Sequence, residues 1–284
     1  MSYHGQIGLS TAPGGTIQSG SSTTTSGLTE EDEETASVST AFLPTSFPEL
    51  PSFDTILASS DRVLFYVHSN TILATCELAF REFLGGSLDN PNFRDILIPI
   101  PSTSAELNVI LHMFYGLSPA PYSPTFEILS NAVDSMPTYS ITPSTHIYPE
   151  TPLYTLLLSY APLCPLDVYA LAAHHEVHSL AVLTSSHLLS YPLHTITDGQ
   201  ADRMGAVYLK RLMALHIDRL NALKDVLLKP PYPHPPTRVC GFLSQRKLTR
   251  EWSLVSANLA WEASPGEFLF QMFFSSYSKL TDAI

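Results

Sequence analysis

Phe53-Asp54-Thr55-Ile56-Leu57 and Val63-Leu64-Phe65-Tyr66-Val67-His68 are short runs of β-branched and aromatic residues, joined by Ala58-Ser59-Ser60-Asp61-Arg62. Such side chains suit a pleated, half-buried surface, so the pair predicts a β-hairpin. Immediately afterwards, Ser69 or Asn70 can cap a helix whose apolar residues Ile72, Leu73, Cys76, Phe80 and Phe83 share one face. Gly85-Gly86 would end that helix, because glycine tolerates the left-handed termination. Ile96-Leu97-Ile98-Pro99-Ile100 reads as a further strand, confined by its prolines to a sheet edge or a strand end. Ser102-Thr103-Ser104 with Glu106 offers caps for a helix through Leu107, Ile110, Leu111, Phe114 and Tyr115, up to Gly116. This order gives an α+β fold class, a short sheet flanked by a cluster of helices.

Further along, Phe126, Leu129, Ala132, Val133 and Met136 predict a short helix stopped by Pro137. Leu153 to Tyr160 and Leu166 to Leu189 are further helical stretches. Asp202 is a plausible cap for a long helix to Leu228, in which Leu209, Met213, His216, Leu220, Leu223 and Leu227 form a heptad seam. Leu212, Leu215 and Ile217 widen that seam, so packing on a globular neighbour is expected rather than a coiled coil. Pro-rich residues 230–236 should be an extended linker. A last helix is marked by Leu248, Trp252, Val255 and Leu259. Residues 1–49, rich in Ser, Thr and Gly with the acidic run Glu30 to Glu34, read as a disordered tail. The expected organisation is a tail, a domain at 50–195 with its core at 50–136 and a helical part at 137–195, and an all-helical C-terminal module at 196–284.

Only 14% of the 284 residues are charged, and the net charge is −12. The distribution is uneven. Residues 203–250 hold ten bases against two acids, whereas residues 51–202 hold 14 acids against three bases. An acidic stretch beside a basic one can attract it, within a chain or between chains. Cys76, Cys164 and Cys240 are odd in number, widely spaced and without a C-x-x-C, which argues against a disulfide framework and a cysteine-dominated zinc site. The N-terminus lacks the pattern of a secretory signal, and the longest apolar stretch, Leu153 to Leu163, is too short for a membrane span. A cytoplasmic or nuclear protein without a membrane partner is expected.

Signatures of catalysis are scarce. There is no G-x-x-x-x-G-K, G-x-G-x-x-G, G-x-S-x-G or H-E-x-x-H. His174 and His178 stand at i, i+4, where two imidazoles on one helical face could hold a metal with Cys164 or Asp167, and a metal-dependent enzyme would be built there. Glu176, two residues after His174, points away from that face, and a structural role for the histidines is the expectation. Lys210, Arg211, Lys224, Arg246, Lys247 and Arg250 form a basic set. A nucleic-acid or chromatin-associated regulator would need them to converge on one face, and no reading-helix motif accompanies them. Neither a cofactor nor a metal is expected.

The hairpin with Asp54, the Phe65-Tyr66-Val67-His68 strand end, the helix Leu73 to Phe83, the strand Ile96 to Pro99 and the helix ending Phe114-Tyr115-Gly116 resemble, in that order, the BTB/POZ domain. A closer resemblance is to BTB proteins of mushroom-forming fungi. It is carried by Ala161-Pro162-Leu163-Cys164-Pro165-Leu166-Asp167 through His175, by Tyr208-Leu209-Lys210-Arg211-Leu212, and by Leu248-Thr249-Arg250-Glu251-Trp252. The resemblance implies a non-enzymatic protein-interaction module that self-associates or serves as an adaptor. The low charge of residues 50–136 suggests that the surface for self-association or partner binding lies around Phe53, Asp54, Phe65, Tyr66, His68, Leu73 and Phe80. In animal transcription-factor members a basic residue near the second-strand His neutralises the first-strand Asp. Here the nearby residues are Tyr66, Val67 and Ser69, so that charged pocket is not implied. The apolar Gly266 to Phe274, lacking helix caps, suggests truncation or an alternative reading frame.

Overall fold

The computed structural model describes residues 37–80 and 97–262, all within one compact unit, Ala36–Ile284. Among these residues the fold is α+β: a mixed four-stranded sheet and a larger set of helices. Strands β1 (Ser37–Val38), β2 (Thr55–Ala58), β3 (Val63–Val67) and β4 (Leu97–Pro99) lie in the order β1-β3-β2-β4. The expected hairpin is β2 antiparallel to β3, with Leu57 opposite Phe65. Its connection closes through Ser59, whose amide donates to the Val63 carbonyl, and through Arg62 at φ 62°. Proline-limited β4 takes the edge, parallel to β2.

The first helix is shorter than its apolar spacing suggested. α1 spans Ser69–Thr75 and ends where Cys76 turns extended. Phe80, at φ 55°, packs against Tyr139 and Phe114, and its amide donates to the Tyr139 carbonyl. Tertiary packing of Phe80 therefore redirects a chain that local periodicity would have continued as helix. Phe83 and Gly85-Gly86 lie outside the described residues.

α2 (Ser104–Phe114) starts with a capping box in which Thr103 and Glu106 satisfy each other's backbone amides. It stops at Gly116, φ 64°, where Leu117 donates back to His112. α3 (Phe126–Ser135) is capped by Thr125, and a 3-10 turn at Met136–Tyr139 replaces helix beyond it. α4 (Pro143–His146), α5 (Pro152–Ser159), α6 (Pro165–His174) and α7 (His178–Ser185) complete the cluster, three of them with proline in the first turn, where no amide donor is needed.

α8 (Asp198–Leu227) is capped by Thr197 in a box with Gln200, five residues before the expected Asp202. Gly205 breaks it with φ 71° and ψ 161°. Its inward residues are Met204, Leu212, His216 and Leu227 rather than the full heptad seam, and Met213 is exposed. The boundary expected at 195/196 does not separate two bodies: Tyr169 Oη donates to the Tyr208 carbonyl at 3.0 Å, and Met204 and Leu212 belong to the common core. α9 (Phe242–Glu262) follows the exposed residues 230–236, which form neither helix nor strand, and packs on α8, with Trp252 Nε1 donating to the Leu227 carbonyl.

The core is continuous from Phe42 to Leu212. That corrects the tail boundary at residue 49, because Phe42 is fully buried against Phe65, Phe47 and Tyr115, and β1 pairs with β3. Residues 1–36 and 263–284, which include Glu30 to Glu34 and Gly266 to Phe274, lie outside the described residues. No described helix is long and apolar enough to cross a membrane.

Candidate interaction sites

The polar groups around β2 are arranged as two clamps. Asp54, just ahead of the strand, accepts from the Ser69 amide at 2.8 Å and from Ser69 Oγ at 2.6 Å. His68, the N-cap of α1, supplies no side-chain cap, so a carboxylate from the neighbouring strand does so instead. This corrects the expectation that Ser69 or Asn70 caps α1. Beyond the other end of β2, Asp61 accepts from the Ser104 amide at 2.8 Å and from Ser104 Oγ at 2.6 Å, at the start of α2. Partial burial pushes the Asp61 carboxyl up, but bonds from Ser104 and Ser59 outweigh it and hold it below the usual value. Asp61 is a residue that reading for function along the chain passes over as a turn former.

His68 is satisfied on both sides. Its Nδ1 and its amide meet Tyr115 Oη at 2.9 Å, and Nε2 donates to the Pro51 carbonyl at 2.9 Å. Tyr115 stacks on Phe47, and burial pushes its hydroxyl up to about 12. The elements of the strand end, the α1 start and the α2 end thus meet at one junction.

The proposed surface set divides in two. Phe65, His68 and Phe80 are buried and hold the core together, which corrects their assignment to an interaction surface. Phe53, Asp54, Tyr66 and Leu73 are half-buried, and Phe53 and Tyr66 meet edge to face at 4.7 Å.

His174 and His178 do not share a helical face. Glu176 at φ 57° ends α6, with its amide bonded to Ala173 and that of Val177 to Ala172, and His178 begins α7. Instead Asp134, His174 and His175 bring ligand atoms within 4.8 Å of one another. Asp134 is already engaged on both oxygens, by His175 Nε2 at 2.7 Å and Arg203 Nη2 at 2.7 Å. Burial pushes its carboxyl up, yet the His175 hydrogen bond and the Arg203 charge hold it below the usual carboxylate range. A guanidinium bound there already fills the role a metal would take. Cys164 lies at the N-cap of α6 and Asp167 in its first turn, and neither joins this group.

The six basic residues are all exposed, but on two helices. Lys210, Arg211 and Lys224 belong to α8, where Arg211 lies over the Tyr208 ring at 5.0 Å and reaches His178 Nδ1 at 3.3 Å. Arg246, Lys247 and Arg250 belong to α9. An open cleft of about 550 Å³ beside Arg211 mixes His174, His178 and Arg203 with Glu176 and Asp202, so it presents no single sign of charge.

No family model, no curated protein and no solved structure matches this chain.

Proposed function

We propose that the chain is a non-enzymatic protein-interaction module of the BTB/POZ type, acting through self-association or adaptor binding in the cytoplasm or nucleus. The observation that carries this reading is the junction of Asp54, His68, Ser69 and Tyr115. The polar residues on which the resemblance rests are consumed in mutual hydrogen bonds that fix the hairpin, α1 and the end of α2. Groups so engaged position a surface rather than transform a substrate. The half-buried Phe53 and Tyr66, with Leu73, offer apolar area beside that junction.

Light scattering coupled to size exclusion on the full chain tests it. A dimer or larger species is expected, shifting toward monomer in Phe53→Ser/Tyr66→Ser while circular dichroism stays unchanged. A strict monomer at high concentration removes the self-association half of the proposal, and turnover of any substrate through His174, His175 or Asp134 removes the non-enzymatic half.

A further inference from the structure

Among the described residues α9 packs mainly on α8, and it has two faces. Successive residues turn by about 100° along a helix, so Trp252, Val255, Ser256 and Leu259 form the stripe facing α8, with Ser256 and Leu259 buried. The opposite stripe carries Leu243, Arg246, Lys247, Arg250, Leu254 and Trp261, all exposed. Leu243 is 78%, Leu254 58% and Trp261 90% exposed, so the side chains best suited to burial stand clear of the other described residues. No described acidic side chain lies on this stripe, and Glu251 sits on its flank.

We propose that this outward stripe of α9 docks an acidic amphipathic helix of a partner protein. Carboxylates of the partner pair with Arg246, Lys247 and Arg250, and its apolar residues cover Leu243, Leu254 and Trp261. The pattern selects this occupant over others. Nucleic-acid phosphates would engage the three cations and leave the flanking leucines and tryptophan without a role. A second α9 would set cation against cation. Apolar anchors alternating with charges of one sign are what a partner helix of opposite charge reads. The inference rests on the protein-interaction reading but not on self-association, because the stripe lies far along the chain from Phe53 and Tyr66.

The test uses the full chain and a labelled synthetic amphipathic helix with Leu at the a and d positions and Glu at e and g, followed by fluorescence anisotropy. Binding at low salt is expected, weakening about tenfold at high salt as exposed charge pairs are screened. Arg246→Glu/Lys247→Glu/Arg250→Glu should lose it, and a peptide with Lys in place of Glu should restore it to that variant. Leu254→Ser/Trp261→Ser should weaken the acidic peptide as well. All five residues are exposed, so folding should survive, with circular dichroism as the check. The proposal is overturned by acidic-peptide binding indifferent to charge reversal, or by none at low salt. It is equally overturned if a short DNA duplex or phosphatidylserine vesicles bind instead while the peptide does not, or if the stripe variants abolish self-association in light scattering, which would make a second copy the occupant. Failure here with an intact dimer leaves the module reading standing, and the reverse result separates them the other way.

Discussion

Single side chains in this fold carry more than their position in the sequence suggests. His112, His146 and His216 are all held below the ordinary imidazole value by burial, with Arg219 adding repulsion at His216. A histidine whose folded value is depressed stays neutral when folded, while the unfolded chain takes up a proton near 6.5. Stability from these groups is therefore complete above 6.5 and declines as pH falls below it, until the folded value is reached. Thermal unfolding should show the melting temperature dropping between pH 7.5 and 5.5, with a flatter profile in His112→Asn and His216→Gln; an equal slope in both variants would refute the assignment. Some of this was legible beforehand. Asp54, His68 and Tyr115 stood out by residue type and order, and they serve one junction, with Asp54 bonded to Ser69 and His68 to Tyr115. The Asp61 clamp did not, because its partner Ser104 is 43 residues away and only the sheet brings them together. His174 and His178 misled because Glu176, a residue with no special liking for positive φ, ends the helix between them. Val177, buried in the core, holds that turn in place.

At the level of elements, local caps were readable and long-range bends were not. Thr103 with Glu106 and the stop at Gly116 follow from the sequence pattern, and both occur. The end of α1 at Thr75 does not follow, since it depends on Phe80 reaching Tyr139. The break in α8 is likewise hidden in an otherwise regular helical pattern. Gly205 adopts φ 71° with ψ 161°, a conformation almost restricted to glycine, although no atom lies within 4 Å of where a Cβ would stand. Gly205→Ala should thus cost about 1–3 kcal/mol through backbone strain alone. Urea denaturation measures it. A stabilised variant would mean that α8 straightens at no cost and that the break is not enforced by the Tyr208 and Arg203 contacts on either side.

For the whole molecule, the boundaries are set by burial rather than by composition. Residues 37–49 look like a continuation of the polar tail, yet Phe42 fills the space between Phe65, His112 and Tyr115, and the Phe42 carbonyl accepts from the Tyr66 amide. Losing a buried phenylalanine costs about 3–5 kcal/mol, a large share of a typical domain's stability. A chain begun at residue 36 should unfold cooperatively at the melting temperature of the full protein. One begun at residue 50 should melt far lower or fail to fold, and equal melting of the two would show β1 to be dispensable. The uneven charge was visible in the sequence from the start, but not that its basic end divides between α8, where Arg211 is held by Tyr208 and His178, and α9, where Arg246, Lys247 and Arg250 are exposed.

The chain has two tryptophans, and they stand nine residues apart on α9, half a turn out of phase. Trp252 lies against α8 with its indole hydrogen-bonded, and Trp261 stands almost wholly in solvent. One helix therefore carries two intrinsic fluorophores with separate duties. The emission of Trp252 follows whether α9 stays seated on its own protein. That of Trp261 follows whether something else has come to rest on the far side, so substituting either residue by Phe leaves a single-reporter protein for each question.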